Sequence, residues 1–379
     1  MNTKLKRVLI TGGAGFIGSH TADLLLSKGY QVRVLDNLSE PVHDNGQWPD
    51  YLDQRVERVK GSVTEANDWR EALKGVDGVI HLAAYQDLLP NFSRFAETNV
   101  KGTMLLYELI VQDKLPVQKV VVASSQFVYG QGKYECPKDG VVFAKDRLEA
   151  DLEAKQWEPR CPICGEQNLK PLTNSEDHQD PSNQYSISKF TQELTALKIG
   201  KNYNIPSSAM RYSIVQGPRQ SFKNAYSGVL RLFCLKALSG DTPSIYEDGQ
   251  QLRDYVHVDD VAAANVLALE DERANYENYN VGGGKPYTVL EFAQIVADVT
   301  GRKDWQLEPT GQYRVGDTRH SISDITKLKA LGWKPTKTPR EAVTEYVAWL
   351  KTQDVDFGIV KQSEELMKKM GALRGSKDN

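Results

Sequence analysis

Through the first 215 residues, short strand-like runs, several of them continuously apolar, alternate with longer stretches in which apolar residues recur every three or four positions. The runs are VLI (Val8 to Ile10), QVRVLD (31–36), RVERVKGSV (55–63), GVIHLAA (78–84), KVVVASS (119–125) and SSAMRYSIV (207–215). Runs of this kind, bounded by turn formers, suit parallel strands covered on both faces. The intervening stretches place Phe16, Ile17, Leu24 and Leu25 at helical spacing, then a short helix from Trp69 to Leu73. Longer helices are predicted from about Phe95 to Gln112 and from about Ser186 to Asn202. Such alternation predicts an α/β fold on a doubly wound parallel sheet.

The rhythm breaks twice. Between Gly130 and Asp180, where strand should lead quickly to helix, about fifty residues intervene, far beyond ordinary loop length. Residues 131–180 are therefore an insertion. Past residue 212 the repeats stop, and PSIYEDGQQLRDYVHVDDVAAAN suggests a smaller lobe interleaved with the sheet. The expected division is 1–212 for one domain and 213–379 mainly for a second, C-terminal substrate domain, with 257–283 returning to the first. The closing SEELMKKMGALRGSKDN reads as a short amphipathic helix and a fraying charged tail.

The turn after the first run carries chemistry. In TGGAGFIG, Gly12 permits a tight turn, Gly15 removes the side chain that would block a pyrophosphate, and Gly18 lets helix and strand pack closely. Free N–H groups at the helix start then face phosphate. Asp36, ending the second run, can accept hydrogen bonds from a ribose 2′-hydroxyl and would repel the extra phosphate of NADP, so the Rossmann-type unit favours NAD. In QYSISKF, Tyr185 and Lys189 lie one helical turn apart on one face. A neighbouring ammonium and a positive nicotinamide ring both favour phenolate, bringing a phenol of pKa near ~10 toward service as a base. A strand-end hydroxyl should complete the set, and Ser124 and Ser125 both qualify chemically.

The GxxGxxG spacing, Asp36 with Asn37, HLAA at His81 to Ala84, Asn99, SSQFVYG, YSISK and RDYVHV stand together in one order. As a set they resemble the extended short-chain dehydrogenase/reductase family, and within it the NAD-dependent nucleotide-sugar epimerases. The resemblance implies Ser125 as the hydroxyl, three positions before Val128, Tyr129 and Gly130. It implies that Phe16 and Ile17 meet the cofactor phosphates by backbone, that Leu82 and Ala83 line the cofactor beside Asp36 and Asn37, and that Lys189 also holds the nicotinamide ribose. Asn99 joins the cofactor set as support for the active-site helix. Substrate contacts implied are Gln86, Gln126, Asn224, Tyr226, Tyr246, Arg253 and Arg314, the two arginines gripping a diphosphate and Tyr246 stacking on the base. Relatives commonly dimerise through helices flanking the site, so a homodimer is expected.

Dehydratases of this family carry an acidic pair directly after the hydroxyl, and related decarboxylases keep the second acid. Here Gln126 and Phe127 stand in those places and neither transfers protons. Hydride chemistry alone remains, which implies a 4-epimerase of a nucleoside diphosphate hexose. Ile214 and Gln216 replace the usual polar pair, apolar Ile214 favours a deoxy-sugar, and the cysteine-bearing insertion is similar to that of epimerases acting on dTDP-6-deoxyhexoses such as dTDP-L-rhamnose. The competing readings are an NAD-dependent 4-dehydrogenase or reductase using the same residues, and a non-catalytic NAD-binding sensor.

Composition adds limits. The 379 residues carry a net charge of −3 with no basic block, which argues against nucleic acid and anionic membranes as partners. No apolar run approaches the ~20 residues of a membrane helix, and the first strand starts too soon after Met1 for a signal peptide, so a cytoplasmic protein is expected. Three of the four cysteines fall in the insertion: Cys136 in KYECPKDG, and Cys161 and Cys164 in WEPRCPICGE. The CxxC spacing presents two thiolates to one tetrahedral metal, with Cys136 third and Asp139 or His178 fourth. Structural zinc and reduced spectator thiols are the two readings.

Overall fold

The structure is a computed structural model and describes residues 5–43, 46–87, 89–224, 228–360, 365, 369, 371 and 373–375. Its first strands are β1 (Arg7–Thr11), β2 (Gln31–Asp36), β3 (Glu57–Lys60), β4 (Gly78–His81) and β5 (Lys119–Ser125). The insertion supplies β6 (Lys133–Cys136), β7 (Gly140–Phe143) and β8 (Lys170–Pro171). Then follow β9 (Ser207–Tyr212), β10 (Ile214–Gln216), β11 (Leu252–His257), β12 (Glu277–Val281) and β13 (Pro286–Thr288).

Seven strands form one sheet in the order β12-β9-β5-β4-β1-β2-β3, every pair parallel. The apolar runs explain the layering, since β4 and β5 are buried at every residue and can be covered on both faces by helices. Chain order reverses between β1 and β4, so a cleft opens beyond their carboxyl ends, where open α/β sheets bind ligand. β10, β11 and β13 form a second sheet, whose core gathers Phe233, Tyr255, Phe292 and Tyr346. The lobes interleave: the helix Val258–Glu270 packs on the helix Phe16–Ser27, and β12 joins β9. In the insertion β7-β6-β8 make an antiparallel sheet of their own.

The two long helices start earlier than apolar spacing predicts. One runs Phe92–Phe95, through a π-helical turn at Ala96–Lys101, to Gly102–Gln112. The other begins at Gln184, because the Asn183 side chain accepts the Ser186 N–H at 2.9 Å and Ser186 Oγ accepts the Asn183 N–H in return. Such a cap is polar and invisible to a hydrophobic count. Tyr185 thus sits in a first turn whose start is fixed. The expected fraying tail needs correction: Leu373–Arg374 pair antiparallel with Tyr313–Arg314, and Leu373 is buried. The helix expected over SEELMKKM lies almost wholly outside the described residues. No helix among the described residues is long and apolar enough to cross a membrane.

His81, in the HLAA run, is core. Its Nδ1 is bonded to Thr11 Oγ1 at 2.7 Å and its Nε2 to Thr103 Oγ1 at 3.0 Å. Burial, with Lys189 adding to it, pushes its pKa from 6.5 down to about 3. Below pH 6.5 the unfolded imidazole takes up a proton that the folded one refuses. The stability this neutral ring contributes is therefore intact above 6.5 and lost as pH falls toward 3, at ~1.4 kcal/mol per unit. Urea unfolding at pH 6.5 and about pH 5 should show parent protein losing roughly 2 kcal/mol more than His81→Gln. Equal losses would refute it.

Candidate active site

The glycine turn joins β1 to the helix Phe16–Ser27, whose N-terminus has no side-chain cap. Its three glycines do different work. Gly12 takes φ +65° and donates its N–H to Leu35 O at 2.9 Å. A Cβ on Gly18 would lie 2.3 Å from Gly12 O and 2.5 Å from Gly13 Cα, so helix and turn touch there. A Cβ on Gly15 would meet only Gly12 O, at 3.3 Å, and otherwise open space. Asp36 Oδ2 accepts the Ala14 N–H at 3.1 Å and Oδ1 the Leu38 N–H at 2.9 Å, holding the carboxylate beside the turn. Asn37 is exposed and its Oδ1 accepts the Ser39 N–H. Leu82 and Ala83 are half-buried just past β4, and Ala83 donates its N–H to Thr11 Oγ1 at 3.1 Å. An uncapped helix start, bare space at Gly15 and a fixed acid at the end of β2 fit a dinucleotide.

β5 ends at Ser125, whose Oγ accepts the Phe127 N–H at 3.2 Å. The Phe127 ring stands edge-on to Tyr185, centroids 6.2 Å apart. Lys189 Nζ lies 5.9 Å from the Tyr185 ring centroid and donates to Ala123 O at 3.0 Å and Gln192 Oε1 at 2.9 Å. Burial pushes its pKa down from 10.5 to about 7, so the ammonium gives up a proton near neutrality. Ser124 is spent elsewhere, donating to Glu193 Oε2 at 2.8 Å in a buried ion pair with Arg211. The geometry thereby separates the two serines that chemistry left equal. Asn99, expected beside the cofactor as support for the active-site helix, is placed to give that support. Its amide is fully buried, donating to Ser188 Oγ at 2.9 Å and Tyr85 O at 3.0 Å and accepting the Tyr85 N–H at 2.7 Å. It pins the helix that carries Tyr185 and Lys189, from within a π-helical turn of the kind found at functional sites.

Gln126, directly after Ser125, is 2 % exposed, and its Oε1 has no partner among the described residues. A buried acceptor left unmatched is costly unless a ligand fills it. Arg253 and Arg314 converge on one carboxylate: Asp317 Oδ2 is 2.8 Å from Arg314 Nη2 and 3.9 Å from Arg253 Nη2. Burial opposes the Asp317 charge, but Arg314, Arg253 and Arg147 outweigh it and hold the carboxyl below its usual range. Arg253 also donates to the carbonyls of Leu252, Thr318 and Arg319, so it braces that backbone as well as offering charge. Tyr246 stacks under Arg314, whose guanidinium is 5.9 Å from its ring. Asn224 donates its N–H to Ser221 Oγ, Gln86 is exposed beyond β4, and Tyr226 lies outside the described residues. Asp317 and Gln192 are the residues that motif reading missed; each stands three positions from a residue it singled out.

In the insertion, Cys136, Asp139, Cys161 and Cys164 come together with ligand atoms all within 4.8 Å of one another. His178 does not join them, its ring stacking on Phe143 at 3.6 Å. Arg147 and Glu158 reach across to the second lobe, pairing with Glu247 at 2.8 Å and with Arg319 at 2.8 Å.

Comparison with known proteins agrees with this layout. The dTDP-L-rhamnose 4-epimerase of Burkholderia thailandensis is 33% identical over 357 residues, covering 93% of this chain and 96% of that protein. The UDP-glucose 4-epimerase of Thermotoga maritima, solved with UDP-glucose, superposes with a TM-score of 0.73 at 29% identity, over 91% of this chain and 99% of that one. The Thermus thermophilus UDP-glucose 4-epimerase, solved with NAD, gives 0.68 at 29%, over 91% and 99%. The model of one family matches residues 8–146 and 162–282, breaking only within the insertion. By that match and by the glycine turn, Ser125, Tyr185 and Lys189, the chain belongs to the NAD dependent epimerase/dehydratase family.

Proposed function

We propose that this chain is an NAD-dependent nucleoside diphosphate sugar 4-epimerase, acting on a dTDP-linked 6-deoxyhexose. The flank of Ser125 carries the reaction type: a buried amide and a phenyl ring stand where elimination would need two proton-transferring acids. Gly12, Gly15 and Gly18, the backbone of Phe16 and Ile17, and Asp36 would hold NAD, which supplies a hydride acceptor and donor at sugar C4. Tyr185 removes the proton of the 4-hydroxyl as C4 loses hydride, and Ser125 hydrogen-bonds the same oxygen. Lys189, one helical turn away, favours the phenolate in its ammonium form. The 4-keto sugar turns over, and proton and hydride return on its other face with no net redox change. Arg253 and Arg314 hold the diphosphate in place of Asp317, as guanidinium suits bidentate phosphate contact. Gln126 Oε1 takes a sugar hydroxyl. Half-buried Ile214 and the relation to dTDP-L-rhamnose 4-epimerase support a sugar with one oxygen fewer.

Proton NMR of dTDP-L-rhamnose incubated with purified enzyme should show a second C4 configuration growing to a fixed ratio without added NAD. An unchanged C4 across dTDP- and UDP-hexoses would sink the proposal. A keto sugar formed in step with added NAD would mean a dehydrogenase instead.

The homodimer rests on the same helices. Met104 and Val111, then Ile187 and Leu194, lie two helical turns apart and are 42%, 38%, 53% and 39% exposed, apolar stripes on adjacent helices. Light scattering should return twice the 42.5 kDa of one chain. A single-chain mass would refute it. The four unpaired cysteines support a reducing, cytoplasmic setting.

A further inference from the structure

We infer that the insertion is built around a tetrahedral zinc ion held by Cys136, Asp139, Cys161 and Cys164. All four ligand atoms lie within 4.8 Å of one another, and three of their spacings match the edges of a tetrahedron around zinc. Cys136 Sγ and Cys164 Sγ are 3.7 Å apart, and Asp139 Oδ2 lies 3.4 Å from Cys136 Sγ and 3.2 Å from Cys161 Sγ. With Zn–S of ~2.3 Å and Zn–O of ~2.0 Å, tetrahedral edges are about 3.8 Å between sulfurs and about 3.5 Å between sulfur and oxygen. A disulfide would instead need the sulfurs ~2.05 Å apart. The donors come from two hairpin-like turns, as zinc knuckles require. Cys136 ends β6 and Asp139 lies in the turn to β7, while Gly165 donates its N–H to Cys161 O at 3.0 Å and takes φ +76° to close the CPICG loop. Cys136 and Cys161 are buried, Asp139 is half-buried and Cys164 is exposed, so the ion meets the insertion's core on one side and has an entry path on the other.

The insertion needs such a staple. Its own core is a cluster of Tyr134, Cys136, Val142, Ala144, Cys161 and Leu169, too little apolar surface to order about fifty residues alone. Two of those six are the proposed ligands. The insertion must nonetheless be ordered, because Glu158, three residues before Cys161, receives Arg319 at 2.8 Å and His320 at 3.0 Å, beside Asp317. The metal thus anchors the segment that clasps the second lobe.

Full-length protein grown with zinc in the medium and purified without chelator is expected to hold about one zinc per chain by elemental analysis. Asp139→Cys keeps that content, because four thiolates suit the same tetrahedron. Asp139→Ala, and Cys161→Ser with Cys164→Ser, bring it below about a tenth of an ion per chain. X-ray absorption at the zinc edge of the parent protein should give three sulfurs and one oxygen, a reading that needs no variant to fold. Zinc below about a tenth in the parent, a Cys136 to Cys164 disulfide in its place, or full zinc in the double-cysteine variant each overturns the proposal. None of these measurements involves sugar or NAD, so metal and epimerase stand or fall separately.

Discussion

Tyr185→Phe is expected to leave a folded, NAD-loaded protein whose epimerisation rate falls by about a thousandfold, within the span for losing a general base. The change deletes one oxygen and keeps the ring. The edge-on packing against Phe127 and the neighbouring Lys189 therefore survive, and the Asn183 cap still fixes the helix. What disappears is the only phenol one turn from Lys189, and no carboxylate follows Ser125 to replace it. The loss should fall on kcat, with KM for the nucleotide sugar little changed, because a base acts in the transition state. Dinucleotide released on denaturation should match the parent. A rate within tenfold of the parent would remove Tyr185 from the reaction, whatever else the cleft binds.

A pair of glycine substitutions should separate fold from cofactor. Gly18→Ala places a methyl 2.3 Å from Gly12 O and 2.5 Å from Gly13 Cα, both backbone, so the turn must open. Overpacking of this kind costs ~1–3 kcal/mol, and the displaced turn should lose NAD as well. Gly15→Ala should do only the second. Gly15 has φ −78° and ψ −175°, a conformation alanine accepts, and its Cβ meets nothing nearer than 3.3 Å. Stability should change by less than ~0.5 kcal/mol. The methyl nevertheless fills the side from which a pyrophosphate approaches, and NAD affinity should drop about a hundredfold, worth ~2.7 kcal/mol. Thermal unfolding and NAD titration of both variants check this. Normal NAD binding by Gly15→Ala would contradict the placement of the phosphates.

What the sequence made legible was local. Strand, glycine turn, helix and Asp36 lie within thirty-odd positions, and Tyr185 and Lys189 share one helix, so spacing alone carries them. The Asn183 cap was missed because caps are polar and apolar periodicity starts after them. Only the resemblance separates Ser125 from Ser124 in the sequence; the physical reason is Glu193, which meets Ser124 only once β5 and the following helix pack. The resemblance pairs Arg253 with Arg314 on a diphosphate, but that one carboxylate holds both is a fact of tertiary structure. The docking of Leu373 had no signal at all, since a charged tail gives no hint of a partner strand.

The interleaving of the lobes bears on how a sugar can present both faces. One residue separates β9 from β10, none separates β11 from the helix Val258–Glu270, and only a few part β12 from β13. The polypeptide passes between the lobes at three tight crossings, and a swing of one lobe would have to be shared by all three. Any opening of the cleft must therefore move all three crossings together. A hexose pivoting about its tethered nucleotide would present both faces without calling on that concerted movement.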